Sequence, residues 1–155
     1  MSTAQQTPQA HPVVLFDGAC MLCNRTVATI VRRDKHAQFR FAPLQSAAAA
    51  ALLKARGARV PAPDEPLDTM MVIDGDQVLV RSDAALRIAR GLPFPWPMIA
   101  LCRLVPRRWR DAVYRFVAER RYGWFGRSET CLVPTPDVRR RLVPGADAQA
   151  ANPSA

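Results

Sequence analysis

Apolar positions in this chain fall into short blocks separated by turn residues. Val13-Val14-Leu15-Phe16 is a continuous apolar, β-prone run and reads as a short buried strand. Asp17-Gly18-Ala19 is the turn that follows it. Over residues 20–33 the period becomes helical, with Val27, Ile30 and Val31 on the inner face. Phe39-Arg40-Phe41 alternates, which predicts a second strand closed by Pro43. Ser46 is placed to N-cap an alanine-rich helix over 46–56, and Gly57 to stop it. Residues 58–68 hold three prolines and read as a loop.

Residues 69–73 and 77–81 flank Asp74-Gly75-Asp76, a hairpin signal. Ser82 is expected to cap a helix over 83–90 that Gly91 ends. Pro93-Phe94-Pro95-Trp96-Pro97 links this to a short apolar helix over 98–104. Pro106 suits the first turn of a helix reaching Arg121, with Gly123 ending it. In that helix Trp109, Ala112, Val113, Phe116 and Val117 recur at helical spacing, so one buried face is predicted. The order strand, helix, strand, helix, hairpin, helix predicts an α/β, thioredoxin-like fold. Its four-stranded mixed sheet has two parallel strands joined by a right-handed crossover, plus an antiparallel hairpin. Helices flank the sheet, and extra helices follow at the C-terminal end.

At 155 residues, 49% of them apolar, the chain suits one globular domain. That domain is expected over 13–143, between disordered tails at 1–12 and 144–155. The polar first dozen residues show no signal peptide. The longest apolar stretch, 92–105, contains three prolines and Arg103 and is too short and too broken to span a bilayer. A cytoplasmic location is the resulting expectation. All basic side chains but Lys35 and Lys54 are arginine, and the net charge is +9. Such charge admits an acidic protein, nucleic acid or an anionic membrane as partner. Nucleic acid is set aside, because no recognised binding fold or glycine–aromatic motif accompanies the charge. Residues 103–127 hold eight arginines against Asp111 and Glu119. They read as a solvated helix face, with a docking patch for an acidic protein or weak contact to an anionic membrane surface as the sharper alternative.

The chemistry is carried by Cys20-Met21-Leu22-Cys23. Two thiols at this spacing, at the start of a helix, can close a disulfide within one turn. The helix N-terminus favours a thiolate on the first. Cys20 is therefore the expected exposed nucleophile, and Cys23 the less exposed thiol that resolves a mixed disulfide. Asp17, at the strand end, is placed to take a proton from Cys23 or to cap the turn. Arg25 reads as solvated, with support of the Cys20 thiolate as its alternative. Zinc would want a second pair of ligands. Only Cys102, Cys131, His11 and His36 remain, so no metal and no bound cofactor are expected. The Asp-x-Asp-Gly-Thr turn of haloacid dehalogenase-like enzymes is excluded, since Leu15 stands where their nucleophile would and Ala19 replaces the threonine.

Asp17-Gly18-x-Cys20-x-x-Cys23 resembles the signature of the DCC family of predicted thiol-disulfide oxidoreductases. Further blocks match in order: Phe41-Ala42-Pro43-Leu44-Gln45-Ser46, then Ser82-Asp83-Ala84-Ala85-Leu86, then Val105-Pro106. Arg121-Tyr122-Gly123-Trp124-Phe125-Gly126 comes last, with Cys131 and Pro134 beyond it. The resemblance spans about residues 13–142. It implies a thioredoxin-like fold with Cys20 and Cys23 as the redox pair. One departure is that thioredoxins carry a cis-proline just before the third strand, where this chain has Leu67-Asp68-Thr69 and an early Pro66.

The expected function is disulfide exchange with a thiol- or disulfide-bearing protein or a small thiol, recharged by a separate reductant. The rival is a basic, non-catalytic binding module that holds zinc or docks on a membrane or partner. Cys102 is expected in the core, and Cys131 as a small buried residue or a third thiol. Trp109, Tyr122, Trp124 and Phe125 read as core and cap aromatics, with Trp124-Phe125 lining the cleft beside Cys20 as the alternative.

Overall fold

The computed structural model describes residues 11–62, 70–126 and 135–146. Its centre is β1 (Val13–Phe16), which pairs in parallel with β2 (Arg40–Pro43) and antiparallel with β3 (Met71–Asp74). β3 turns tightly into β4 (Gln77–Val80), giving the sheet order β2-β1-β3-β4. Gly75, at φ +61°, is the first central residue of that turn, a position where a side chain would be strained.

The helices take both faces of the sheet. α1 (Met21–Arg33) and α3 (Arg81–Gly91) cover one face, building a core with Val14, Phe16, Val27, Phe41, Val72 and Ile88. α2 (Ala47–Lys54) covers the other, packing Ala49 and Leu53 on Val13, Leu15, Ala42 and Ile73. β1 is thus buried on both sides, which is why its sequence is continuously apolar rather than alternating. A parallel β-α-β unit followed by a β-β-α unit in this strand order is consistent with the thioredoxin-like fold. Ser46 caps α2 as expected, its Oγ accepting from the Ala49 N–H at 3.2 Å.

Several expectations are corrected. Ser82 is no cap; it lies inside α3 and its hydroxyl donates to Asp111. Gly91 is the last residue of α3 and serves packing: a Cβ there would come 2.5 Å from the buried ring of Phe39. The segment after it is a 3₁₀ helix (Trp96–Leu104) with no buried residue, so Cys102 is exposed rather than core. α4 (Arg107–Phe125) runs through Gly123 and ends at Gly126, whose φ of +84° suits only glycine. Its apolar stripe faces outward. Trp109 is 72% exposed, and Val113, Phe116, Val117, Trp124 and Phe125 are exposed too. Spacing puts Trp109, Ala112, Val113, Phe116 and Val117 on one face, but the inner side of α4 is held by polar bonds instead.

Both ends of the domain extend past the expected limits. Pro12 accepts from the Arg40 N–H at 2.9 Å. A short unforeseen helix, α5 (Pro136–Arg140), precedes Leu142, which bridges in parallel to Phe41 at the β2 edge. Ala146 is buried, so the chain stays packed beyond residue 143. Residues 1–10 and 147–155 of the expected tails lie outside the described residues, as do Cys131, Pro134 and the segment with Pro66.

Candidate dithiol site

β1 ends and α1 begins within four residues, so Asp17, Cys20 and Cys23 share one corner of the fold. Cys20 is the N-cap of α1, with extended backbone angles, and its sulfur accepts from the Cys23 N–H at 3.4 Å. The turn is pinned on several sides. Asp17 Oδ1 accepts from the Ala19 N–H at 3.0 Å and from Gln45 Nε2 at 2.8 Å. Asn24 Nδ2 donates to the Gly18 carbonyl at 3.0 Å. The capping role of Asp17 is therefore realised.

α4 completes the site from a hundred residues away. Arg121, buried, donates from Nη1 to Cys23 Sγ at 3.6 Å and from Nη2 to Asp17 Oδ2 at 3.5 Å. The Tyr122 hydroxyl also donates to Asp17 Oδ2 and accepts from Arg121 Nη2 at 3.2 Å. One guanidinium thus joins the carboxylate to the second thiol. The sequence reads Arg121 as part of a solvated arginine run and Tyr122 as a core aromatic, and it assigns Gln45 no role. The usable signal was that all three lie inside blocks carrying the family resemblance. Arg25, by contrast, is exposed.

The thiols are strongly differentiated. A hydrogen bond from the Cys23 side chain is the main reason that the Cys20 thiol falls from 9.0 to about 6. Burial opposes this; the Cys23 N–H and the Arg121 charge add to it. Cys23 moves the other way, held up first by its bond to Cys20 and then by burial. Arg121 keeps its charge more firmly than usual: burial works against it, but the Tyr122 hydroxyl and the nearby sulfurs outweigh that cost. Burial, then the bond to Asp17, raises the Tyr122 phenol. The arrangement therefore favours the thiolate on Cys20 over one on Cys23.

Accessibility differs from expectation. Cys20 is fully buried rather than exposed, and Cys23 is the one that lines a groove. That groove, about 690 Å³, runs along Leu22, Met70, Leu86, Val113 and Val117 and has Cys23 and Arg121 among its walls. Both sulfurs belong to the core cluster beneath α1 and α3, so apolar packing displaces solvent from Cys20. Among the described residues, no three His, Cys, Asp or Glu side chains gather as a metal would require. Nor is any described helix long and apolar enough to cross a membrane.

The model of the DCC1-like thiol-disulfide oxidoreductase family matches residues 14–127, which include the dithiol, Asp17, Arg121 and Tyr122. The chain is 39% identical over 142 residues to "Uncharacterized protein YuxK" of Bacillus subtilis (strain 168), covering 92% of this chain and 99% of that protein. It is 36% identical over 122 residues to "DCC family protein At1g52590, chloroplastic" of Arabidopsis thaliana, covering 78% of this chain and 69% of that protein. No solved structure matches it.

Proposed function

The chain belongs to the DCC1-like thiol-disulfide oxidoreductase family, and on that premise we propose that it exchanges disulfides through Cys20 and Cys23. The carrying observation is geometric: the Cys20 sulfur caps α1, accepting from the Cys23 N–H at 3.4 Å, while Arg121 Nη1 lies 3.6 Å from the Cys23 sulfur.

In the reducing direction the Cys20 thiolate attacks one sulfur of a substrate disulfide. The Cys20–substrate bond forms as the substrate S–S bond breaks, and the other substrate sulfur leaves as a thiolate. Cys23 then loses its proton and attacks Cys20. The Cys20–Cys23 disulfide forms, and the second substrate sulfur is released. Two electrons have moved from the dithiol to the substrate, and a thiol donor returns them. Arg121 stabilises the Cys23 thiolate as it appears, its Nη1 lying 3.6 Å from the sulfur. Asp17 holds Arg121 in place and is the carboxylate that receives the Cys23 proton. Because Cys20 is buried, attack follows a local opening of the apolar packing around it. The substrates are disulfide-bearing proteins or small thiols, and the setting is a reducing compartment, the cytoplasm.

The test is a redox titration of the purified protein with thiol alkylation and mass mapping. A reversible Cys20–Cys23 disulfide, with Cys23→Ser trapping a mixed disulfide on Cys20, is the expected result. A pair that never bridges would return the chain to the reading of a non-catalytic basic module.

A further inference from the structure

Among the described residues, every large hydrophobic side chain that is markedly exposed lies between Phe94 and Phe125, on the 3₁₀ helix, the turn before it, and α4. The sheet, α1, α2 and α3 contribute none. α4 is turned inside out relative to an ordinary surface helix. Its inner arc is polar: Arg110 pairs with Asp83 at 3.2 Å, Asp111 accepts from Ser82, and Arg121 and Tyr122 hold Asp17. Its outer arc carries Trp109, Val113, Phe116 and Trp124, continued by Met98, Leu101 and Leu104 of the 3₁₀ helix.

Arginines border this apolar stripe. Arg103, Arg108 and Arg115 are exposed and form no ion pair among the described residues. Arg120 lies over the Phe116 ring, 3.8 Å from its centroid. A straight 19-residue helix is about 28 Å long. Aromatic and aliphatic side chains along one line, with arginines beside them and a net charge of +9, match the chemistry of an anionic bilayer surface. A second copy fits worse, because a two-fold pairing would set the same arginines against each other.

We propose that the 3₁₀ helix and α4 form a membrane-docking face, on which the protein lies flat on anionic lipid. The apolar side chains sink into the headgroup–acyl boundary while the arginines meet lipid phosphates. The groove that reaches Cys23 and Arg121 is walled by Ile99, Val105, Trp109 and Val113 of this same face, so docking brings it to the lipid surface. The proposal does not rest on the redox reading.

The experiment is vesicle co-sedimentation of the full chain with tryptophan emission recorded alongside. Vesicles of phosphatidylglycerol mixed with phosphatidylcholine are compared with phosphatidylcholine alone. Binding to the anionic vesicles, with a blue-shifted emission, is expected. Trp109→Glu with Phe116→Glu, and separately Arg108→Gln with Arg115→Gln, should each weaken it at least about tenfold. These side chains are exposed, so circular dichroism should not change. Cys20→Ser should bind like the wild type, which separates this surface from the dithiol. No vesicle binding overturns the proposal. So does binding that survives Trp109→Glu with Phe116→Glu, which would be adsorption by charge alone. Self-association that hides the tryptophans without lipid also overturns it, assigning the face to a second copy.

Discussion

Arg121 donates through one nitrogen to Cys23 and through another to Asp17, so the state of the resolving thiol is tied to a buried carboxylate. Replacing the guanidinium removes that tie. In Arg121→Met the alkylation midpoint of Cys20 should move up from about 6, because one of the charges lowering it is gone. Resolution of a Cys20 mixed disulfide should slow by about tenfold or more, the scale of one lost charge-assisted hydrogen bond. Adding Asp17→Asn removes the stranded carboxylate, whose charge raises Cys20, so it should restore stability and bring the midpoint part of the way back down. Stability of the reduced protein carries a second signature. The folded value of Cys20, about 6, lies below its unfolded 9.0. Its contribution is complete above pH 9 and is lost as pH falls towards 6. Cys23 is shifted upward, so its contribution is complete below its unfolded 9.0 and is lost above that. Reduced wild type should therefore gain over Cys20→Ser between about pH 6 and pH 9 in denaturant unfolding, and a flat difference would refute the assignment.

Elements here are fixed as much by close approach as by propensity. Gly91 ends α3 against the ring of Phe39, with room for hydrogen and no more. Phe39 is fully buried, so it cannot swing aside. Gly91→Ala should cost about 2 kcal/mol in thermal or denaturant unfolding. Gly75 differs, for open space surrounds it and its constraint is the backbone angle alone. α4 shows the reverse of the usual logic. Its seat is made of side-chain polar bonds, and its apolar residues are left for a partner. The helix can therefore tolerate charge on its outer arc but not loss of Arg110, Asp111, Arg121 or Tyr122 on its inner one.

Taken as a whole, the molecule closes its sheet with the C-terminal segment. The Phe41 N–H donates to the Arg141 carbonyl at 3.0 Å, and the Val143 N–H donates to the Phe41 carbonyl at 2.9 Å, so β2 is not a bare edge. Arg141 also reaches Asp34 at the end of α1, its Nη1 2.9 Å from Oδ2. Asp34 is almost wholly buried and accepts from the Phe39 N–H as well. Arg141→Ala leaves that carboxylate without its cation and should cost about 3 kcal/mol, read from urea unfolding. Arg141→Lys should recover part of the loss, since charge returns but the forked geometry does not.

The sequence alone was enough for the strands, the order of the helices up to α3, and the thiol pair at the start of α1. Those features are local: an apolar run, a turn, a cap and a Cys-x-x-Cys are read within a few residues of one another. The Ser46 cap and the Gly75 turn were legible for the same reason. Tertiary structure decided what spacing cannot. Periodicity shows which residues of α4 share a face, but which way that face points depends on what packs against it. Because Asp17, Asp83 and Ser82 wait on the protein side, the polar arc turned inward and the tryptophans outward. The same contacts across a hundred residues brought Arg121 and Tyr122 to the dithiol. The core formed by α1 and α3 buried Cys20, where a helix N-terminus alone had suggested an open nucleophile.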